Sequence, residues 1–578
     1  MGIPLYFRHI IQDYKNQLLL NVEHTANCER VFFDFNCIVH ASAAKVMQQA
    51  NKHTLLLKDM QDMFQKVIDT SLTYLLDIIK LVHPSSEVFI AIDGPCPYSK
   101  IVQQRKRRFL SVWKKSVETN NSSPSHVDWD SNCVTPGTLF MDQLNDSIKK
   151  FVAQSNMENK NHGLRMIVSD STEFGEGEHK IFKYMRTHPG KENTTDLIYG
   201  LDADLILLSL CALNHSHAPC YNIGLLREVP EFNLEKAHDF HARTPFLILN
   251  MQKLGDTIVR DHGHALVPQV MDAKSFIKDY IIICTFFGND FLPTMSFLKV
   301  GTDNVSRLMH AYKVCIEENG QTGRLVTDEF DINIAFLKNY ISFLAKDEDD
   351  QWKKMYVHYT DKKVFVPRYL ENQGYKKKRQ FEMDRYPLFY KDQNDTFMLD
   401  PSQKGWRMSY YHHYFGHGTF TKNANGQNVQ HACQEYVQGL QFVCDYYWKQ
   451  NPNLDWHYPY FYAPTLLDLS NFLAFYEKSQ MQSVEHSKNV EYMKRLSKNK
   501  YLQLLCVLPP QSMYLIPEEK WQRFMTDIRC GCAHFYPKRF MLTTLLKDFL
   551  WECNPIIPTI HLDYLYHQIQ NCASLSDK

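Results

Sequence analysis

VFIAID, at residues 88–93, is one of four apolar segments in the first half of the chain that each lead into an acidic residue. The others are VFFDF at 31–35, MIVSD at 166–170 and LIYGLD at 197–202. Helical patterns lie between them, such as the amphipathic run over residues 54–82. Strands that alternate with helices predict an α/β fold with a mostly parallel sheet flanked by helices.

Composition excludes several classes of protein. The chain has 578 residues, with 64 Lys plus Arg and 64 Asp plus Glu, so its formal net charge is zero. The protein could therefore bind a nucleic acid only through a local basic patch. A hydrophobic content of 44% is ordinary for a globular protein. The best candidate for a membrane span, YIIICTFFG at 280–288, is too short, and no secretory signal is expected at the N-terminus. The 15 scattered cysteines predict reduced thiols in the cytoplasm or nucleus.

Changes in charge and aromatic content predict three regions. Residues 1–346 carry the α/β pattern and are the predicted catalytic region. Residues 347–400 are dominated by charge, as in DEDDQWKK and KKKRQFEMDR, and predict a linker. Residues 401–578 are rich in Trp, Tyr, Phe and His, and predict a second, mainly helical region. The basic run Lys376 to Arg379 resembles a nuclear import tag, but a solvated linker is the favoured interpretation.

Seven acidic residues form a candidate site. Pairs such as Asp202 and Asp204 are separated by one residue, so in strand-like backbone both side chains point to the same side. In parallel sheets, ligands bind beyond the carboxyl ends of the strands, where these acids are expected. One such acid would be an ordinary solvated loop residue, but seven favour a shared site. The candidates are Asp34, Asp93, Glu176, Glu178, Asp202, Asp204 and Asp290, with Asp170 left outside.

Carboxylates gathered at one edge of a sheet repel each other unless a divalent cation neutralises them. A set of oxygen ligands without His or Cys favours Mg²⁺ or Mn²⁺ over zinc. Two such ions about 4 Å apart activate a water on one side of a phosphodiester and stabilise the leaving oxygen on the other. The acidic cluster therefore predicts a phosphodiester hydrolase with two Mg²⁺ ions, for which Mn²⁺ would substitute.

A basic helix face follows Asp93 in the segment GPCPYSKIVQQRKRRF, residues 94–109. Helical spacing places four residues on one face: Lys100, Gln104, Arg107 and Arg108. Converging cations bind phosphate, and arginine is suited to bidentate contacts. The alternative is a solvated basic helix, but its position beside Asp93 favours a phosphate pocket. Such a pocket next to a metal site predicts a nuclease that measures from a strand end.

Together, these motifs resemble those of the Xrn-type 5′→3′ exoribonucleases over nearly the whole chain. The N-terminal matches are MGIPLYFRHI (1–10), DFNCIVH (34–40), IDGPCPYSKIVQQRKRRF (92–109), FGEGEHKI (174–181), YGLDADLILLSL (199–210), LLRE (225–228) and GNDFLP (288–293). The second region matches with YVQGLQFVCDYYW (436–448), DWHYPYFYAP (455–464) and VLPPQSMYLIP (507–517).

The resemblance implies a PIN/flap-nuclease-like core and gives roles to the candidate residues. The seven acids would be the catalytic Mg²⁺ ligands, and the four residues of the basic face would bind the 5′-monophosphate of RNA. His40 and Trp456 would stack on the first bases. The implied activity is processive 5′→3′ degradation of single-stranded RNA with a 5′-monophosphate to 5′-mononucleotides. A cytoplasmic monomer is expected, with a nuclear location left open and the decapping machinery as a candidate partner.

The sequence departs from the family at several positions. Cys37 replaces a usual Gly, Phe461 stands where the family has His, and Asp170 replaces a small residue. The segment 211–228 lacks the zinc-knuckle spacing of the nuclear branch, so the cytoplasmic branch is nearer. The chain ends soon after WECNPIIP (551–558), which puts partner docking through the long C-terminal extension of large cytoplasmic members in question.

Two other functions are weighed against this prediction. A flap-type, structure-specific DNA endonuclease would share the sheet and the acids, but no Gly-rich hairpin follows Asp290. A catalytically dead RNA-binding scaffold is disfavoured because all seven acids are present.

Overall fold

The computed structural model describes residues 3, 5–22, 28–51, 58–118, 129–158, 163–214, 222–228, 245–318, 323–361, 366, 378, 381–382, 384–385, 399–415, 427–477, 486–545 and 547–575. Within these residues, a single mixed sheet lies in the first half of the chain, with helices packed on both of its faces. The predicted α/β fold is therefore confirmed.

The sheet has seven described strands in the spatial order β1-β7-β6-β5-β2-β3-β4. Their bounds are β1 Leu19–Asn21, β2 Cys28–Asp34, β3 Glu87–Ala91, β4 Arg165–Ser169, β5 Thr195–Tyr199, β6 Asn222–Glu228 and β7 Phe246–Asn250. Strands β2 to β6 are mutually parallel, whereas β7 runs antiparallel to both β6 and β1 at one edge. The prediction of a mostly parallel sheet is confirmed.

The central strand β2 shows why the sheet is covered on both faces. Its residues Val31, Phe32 and Phe33 are fully buried, since strands of a parallel sheet point side chains into a helical layer on each side. The register aligns Asp34 with Ala91 of β3. The loops that follow β2, β3 and β5 therefore leave the sheet at the same edge.

The N-terminal helices are α1 Tyr6–Leu18, α2 Phe35–Asn51, α3 Met60–Val82, α4 Tyr98–Glu118, α5 Leu139–Glu158, α6 Gly177–Thr187, α7 Asp204–Leu213, α8 Met251–Ile258, α9 Ala273–Cys284, α10 Thr302–Glu318, α11 Ile334–Ala345 and α12 Glu348–Asp361. The later helices are α13 Trp406–Tyr414, α14 Gln427–Cys444, α15 Leu466–Leu473, α16 His486–Lys498, α17 Tyr501–Val507, α18 Glu519–Phe524 and α19 Leu562–Leu575.

The second region is mainly helical and packs on the α/β region, as predicted. Around α4, Tyr98 donates a hydrogen bond to the carbonyl of Ile560 at 2.6 Å. Arg105 donates to the carbonyl of Cys506 at 2.9 Å. Because these partners lie about 400 residues or more from α4 in sequence, the second region holds the basic helix in place.

The start of the predicted linker is part of the folded core. Residues 348–361 form α12, and the buried ring of Trp352 packs against Trp406 with centroids 5.1 Å apart. The buried carboxylate of Glu348 accepts hydrogen bonds from the backbone N–H groups of Leu466 and Leu467, at 2.7 and 2.9 Å. Two side chains at the start of the predicted charged linker therefore anchor the second region.

The division into domains stays a prediction. The run Lys376 to Arg379 lies outside the described residues except for Lys378. No helix among the described residues has the length and apolar character that crossing a membrane requires.

Candidate active site

The structure brings the seven candidate acids to one edge of the sheet. Asp34 is the last residue of β2, and Asp93 follows β3 by two residues. Asp204 begins α7. The remaining acids lie in the adjoining loops and at the start of α6: Glu176, Glu178, Asp202 and Asp290. Each interacts electrostatically with at least one other member. The parallel strand order explains this meeting, because the strands point their carboxyl ends the same way.

Neighbouring groups hold Asp93 in place. The Gly177 N–H donates to Asp93 Oδ1 at 2.7 Å, and Asn36 Nδ2 donates to Asp93 Oδ2 at 2.8 Å. A Cβ at position 177 would lie 2.8 Å from Asp34 Oδ1, so only glycine permits this close approach. Both oxygens of Asp93 therefore have defined donors before any ligand binds.

Lys100 lies among the acids in this structure, which differs from the sequence prediction. Its Nζ is 2.6 Å from Glu176 Oε1 and 2.6 Å from Asp290 Oδ2, and the residue is 5% exposed. The prediction placed it with Gln104 and the arginines in a phosphate pocket. The physical reason for the difference is charge: the acidic cluster attracts the nearest long cationic side chain of α4.

The acids are held close together at an energetic cost. Burial, then the charges of Asp93 and Asp202, raise the pKa of Asp34 well above its ordinary value. Burial, then Asp290 and Asp202, raise the pKa of Asp204 to about 8. Conversely, the surrounding carboxylates raise the pKa of Lys100 despite its burial. One ammonium is therefore insufficient to balance the cluster, and a further cation would stabilise it.

The chemistry of these donors fits divalent cations, since they are crowded carboxylate oxygens. Among the described side chains, no three His, Cys, Asp or Glu residues already stand in a metal-holding arrangement. Binding an ion would draw the carboxylates together and release the ammonium of Lys100 from Glu176 and Asp290.

We expect Lys100→Met to lower the free energy of unfolding by about 3–5 kcal/mol in EDTA at neutral pH, because it leaves buried carboxylates uncompensated. The loss should shrink at lower pH, since carboxyl groups with raised pKa values take up protons in the folded state and stop repelling. Urea unfolding at several pH values measures both effects.

The matched control is Lys494→Met, because Lys494 is exposed on α16, and this change should alter stability by no more than about 0.5 kcal/mol. Equal stability of Lys100→Met and Lys494→Met would show that Lys100 is not the counter-ion of the cluster.

An open cavity of about 740 Å³ joins the acids to the basic helix. We call it the acid-edge cavity. Its lining includes three of the acids, Asp34, Asp93 and Asp202, together with His40, Gln104, Arg107 and Arg108. The Nε of Arg108 is buried without a hydrogen-bond partner in the described part of the chain. Burial and the neighbouring Arg107 lower the pKa of Arg108 to about 10. Arg107 and Arg108 together place two adjacent guanidinium groups at the cavity, which provide a site for an anion.

His40 lies in this cavity, on the helix that follows β2. Desolvation of the His40 ring disfavours its charged form and, together with the positive charges of Arg107 and Arg108, lowers the pKa of His40 to about 4. The imidazole is therefore neutral at pH 7. A neutral, accessible ring suits stacking on a base.

Trp456 is buried in the second region in this structure. It is 6% exposed, its ring packs on Phe442 with centroids 4.7 Å apart, and its Nε1 donates to Glu435 Oε2 at 2.9 Å. Among the described residues, Trp456 is not part of the acid-edge cavity lining. The stacking role of Trp456 stays a prediction, and in the free protein its ring packs in the core of the second region.

Sequence reasoning missed several residues that support the acids. Tyr446 donates a hydrogen bond to Glu176, and Tyr447 donates to Asp204 Oδ1 at 3.4 Å. Arg227 Nη2 donates to the carbonyl of Asp202 at 2.6 Å and lines the acid-edge cavity. Arg227 was visible in the LLRE motif, but nothing local indicated that the two tyrosines would reach across from the second region.

The departures from the family pattern leave the acids in place. The Cys37 thiol donates to the carbonyl of Asp34 at 2.6 Å and lines the acid-edge cavity. Asp170 forms an ion pair with Lys149. That pair gives Asp170 a structural role of its own.

Two family models match the chain. The first, described as the XRN 5'-3' exonuclease N-terminus, matches residues 1–228. The second, described as the Xrn1 helical domain, matches residues 270–387 and 360–577.

Curated relatives match over nearly the whole chain. Human 5'-3' exoribonuclease 1 is 27% identical over 99% of this chain, chicken 5'-3' exoribonuclease 2 is 25% identical over 97%, and Saccharomyces cerevisiae 5'-3' exoribonuclease 1 is 24% identical over 99%. The chain spans 34%, 69% and 43% of their respective lengths. Among solved structures, the catalytic core of Rad2 in complex with DNA substrate matches 85% of this chain and 98% of that one. Its TM-score is 0.29 and its sequence identity is 11%, and both values are too low to assign a fold.

Proposed function

Because the chain belongs to the XRN 5'-3' exonuclease family, we propose that it is a processive 5′→3′ exoribonuclease acting on single-stranded RNA with a 5′-monophosphate. The observation that carries this proposal is the acid-edge cavity, where three of the seven acids and two arginines of the basic helix face one space. A nuclease that starts at a strand end needs both a hydrolytic centre and a receptor for the terminal phosphate. The names of the relatives support the same activity.

The basic helix would bind the terminal phosphate. Arg107 and Arg108 would donate charge-assisted hydrogen bonds to its oxygens, and Gln104 would add an amide donor. With the phosphate held there, the acids of the same cavity would act on the first internucleotide linkage. The neutral ring of His40 would stack on the first base without selecting its identity. Mononucleotide steps follow from this fixed separation.

The acids would hold two Mg²⁺ ions, for which Mn²⁺ would substitute, and these would supply a nucleophilic water and stabilise the leaving oxygen. The protein's own part is to orient the ligands. Gly177 and Asn36 fix Asp93, while Tyr446 and Tyr447 direct Glu176 and Asp204. Lys100 offsets part of the acidic charge in the free protein through Glu176 and Asp290, and it would turn towards the terminal phosphate once the ions are bound.

We also propose a cytoplasmic monomer that receives RNA from the decapping machinery. Decapping leaves a 5′-monophosphate, which is the group the basic helix would bind. The twelve cysteines whose side chains the structure describes are free thiols, which suits a reducing compartment.

A time course on internally and 5′-labelled RNA tests the activity. With Mg²⁺ and a 5′-monophosphate, we expect mononucleotides from the first time point. RNA with a 5′-triphosphate or 5′-hydroxyl should react much more slowly, and EDTA should stop the reaction. Circular RNA of the same sequence is the control for internal cleavage. Cleavage of the circle at a comparable rate would contradict an exonuclease.

His40→Ala should reduce processivity and retain metal-dependent cleavage. Stacking on one base is worth about 1–3 kcal/mol, so strand retention should weaken about tenfold. A chase with excess unlabelled RNA measures the fraction of strands that are finished after one binding event.

Trp456→Ala separates stacking from core packing. Because the ring is buried, its loss should cost about 3–5 kcal/mol of stability. Below its melting temperature, the variant should finish the strands that it holds. If Trp456→Ala sheds strands as His40→Ala does, with unchanged stability, the tryptophan contacts RNA after all.

A further inference from the structure

A second cavity, of about 310 Å³, lies on the neighbouring side of α4. Its lining includes Lys106, Tyr458, Phe461, Lys547 and Trp551, and we call it the Lys106 cavity. Arg107 and Leu5 line both this cavity and the acid-edge cavity, so the two spaces adjoin. The lining also includes Asp290 and Arg107, which belong to the predicted site, whereas the sequence selected neither Lys106 nor Lys547.

Two ammonium groups of the Lys106 cavity lack a carboxylate partner. Lys106 Nζ lies 4.8 Å from the ring centroid of Phe461, and Lys547 Nζ lies 5.8 Å from that of Tyr462. In the described part of the chain, no carboxylate oxygen lies within 4.0 Å of either nitrogen. By contrast, Lys299 of the same lining is ion-paired with Asp548. Glu552 Oε2 accepts a hydrogen bond from the backbone N–H of Asp548 at 2.8 Å, and the Glu552 charge offsets part of the lowering of the Lys547 pKa by burial.

These two lysines repel each other in the free protein. Burial, then the charge of Lys547, lower the pKa of Lys106 to about 8. Burial also lowers the pKa of Lys547. Because both half-buried lysines line one cavity, an anion between their ammonium groups would be stabilised by both.

The aromatic lining and the volume define the rest of the ligand. Phe461 and Trp551 offer rings for a base, beside cations for a phosphate. A volume of about 310 Å³ is at the lower end of sites that hold one small ligand, which suits a single nucleotide.

We propose that the Lys106 cavity is a separate binding site for one nucleoside 5′-monophosphate. Its phosphate contacts Lys106 and Lys547, and its base contacts the rings. Resting on the function proposed above, the ligand is the released product. Arg107 stands at the junction, so a nucleotide that leaves the acid-edge cavity passes one cation and enters a space with two more. Each product is thereby removed from the path of the advancing strand.

Equilibrium binding of 5′-AMP to the whole protein in EDTA, without RNA, tests the site independently of activity. Lys106→Gln and Lys547→Gln should each weaken AMP binding about tenfold or more, because each removes a charge-assisted contact. Lys106→Arg keeps the charge and should retain binding. The matched control is Lys494→Gln, an exposed lysine outside both cavities. Melting temperatures show whether each variant is folded. If a glutamine variant is unfolded, AMP binding by Lys106→Arg decides the test instead.

Ribose 5-phosphate and inorganic phosphate identify the part played by the base. AMP should bind more tightly than either, and Phe461→Ala should reduce that advantage. AMP binding that is lost in Arg108→Ala but unchanged in Lys106→Gln and Lys547→Gln would overturn the proposal, since the nucleotide would then occupy the acid-edge cavity. Equal loss in Lys494→Gln would overturn it as well.

Turnover separates this inference from the proposed function. During RNA hydrolysis, added AMP should inhibit the wild type, and Lys106→Gln should raise the half-inhibitory AMP concentration about tenfold. If the protein degrades RNA but shows no lysine-dependent AMP binding, the proposed function stands and the proposed nucleotide site is wrong. If the protein binds AMP through Lys106 but does not degrade RNA, the proposed nucleotide site stands and the proposed function is wrong.

Discussion

Replacing Asp202 by Ala is expected to lower kcat for RNA hydrolysis by about 10³-fold or more while RNA binding is retained. Asp202 lines the acid-edge cavity, and Asp34, Glu178, Asp204 and Asp290 all respond to its charge. Loss of a metal-holding carboxylate removes several kcal/mol of transition-state stabilisation, and each 1.36 kcal/mol is about tenfold in rate. The arginines across the cavity remain, so the strand end should still bind.

Single-turnover rates and RNA affinity should be measured on the same preparations. Asp77→Ala, which removes an exposed carboxylate of α3, is the matched control and should leave both unchanged. Activity of Asp202→Ala above about one per cent of wild type would place the hydrolytic centre elsewhere.

The double substitution Arg107→Ala with Arg108→Ala should abolish the preference for a 5′-monophosphate over a 5′-hydroxyl. Charge-assisted hydrogen bonds contribute about 1.5–3 kcal/mol each, so the loss in relative kcat/KM should be about 10²- to 10⁴-fold. Hydrolysis of the 5′-hydroxyl substrate should change much less, because the acids are intact.

Competition between the two RNAs in one reaction measures this preference directly. The matched control is the pair Arg523→Ala with Arg529→Ala, two exposed arginines that line neither cavity. An unchanged preference in the Arg107 and Arg108 variant would show that the basic helix is an ordinary solvated surface and not the phosphate-binding site.

Local pattern was sufficient for the sheet and for the position of the acids. Segments such as VFIAID are apolar on both faces, which is the pattern of a parallel strand buried between helices. Parallel strands align their carboxyl ends, so the acids that follow them had to meet at one edge. Helical spacing likewise predicted that Gln104 and Arg108 share a face, and both line the acid-edge cavity.

The contacts made by long or aromatic side chains depended on tertiary structure. Helical spacing placed Lys100 on the phosphate-binding face, but its flexible side chain turns to Glu176 and Asp290, whose charges become close only in the fold. A tryptophan in an aromatic segment suits stacking and core packing equally well. Only the packing of Phe442 and Glu435 around Trp456 decides between them.

The sequence by itself determined the α/β class, the acidic edge and the basic helix, because each depends on the short periods of strands and helices. Only the tertiary structure decided which second-region residues support the acids, as Tyr446 does for Glu176 across 270 positions. It also decided that Lys106 and Lys547, 441 positions apart in sequence, face one cavity. No periodic pattern connects residues so far apart, since their contacts arise from the packing of whole regions against each other.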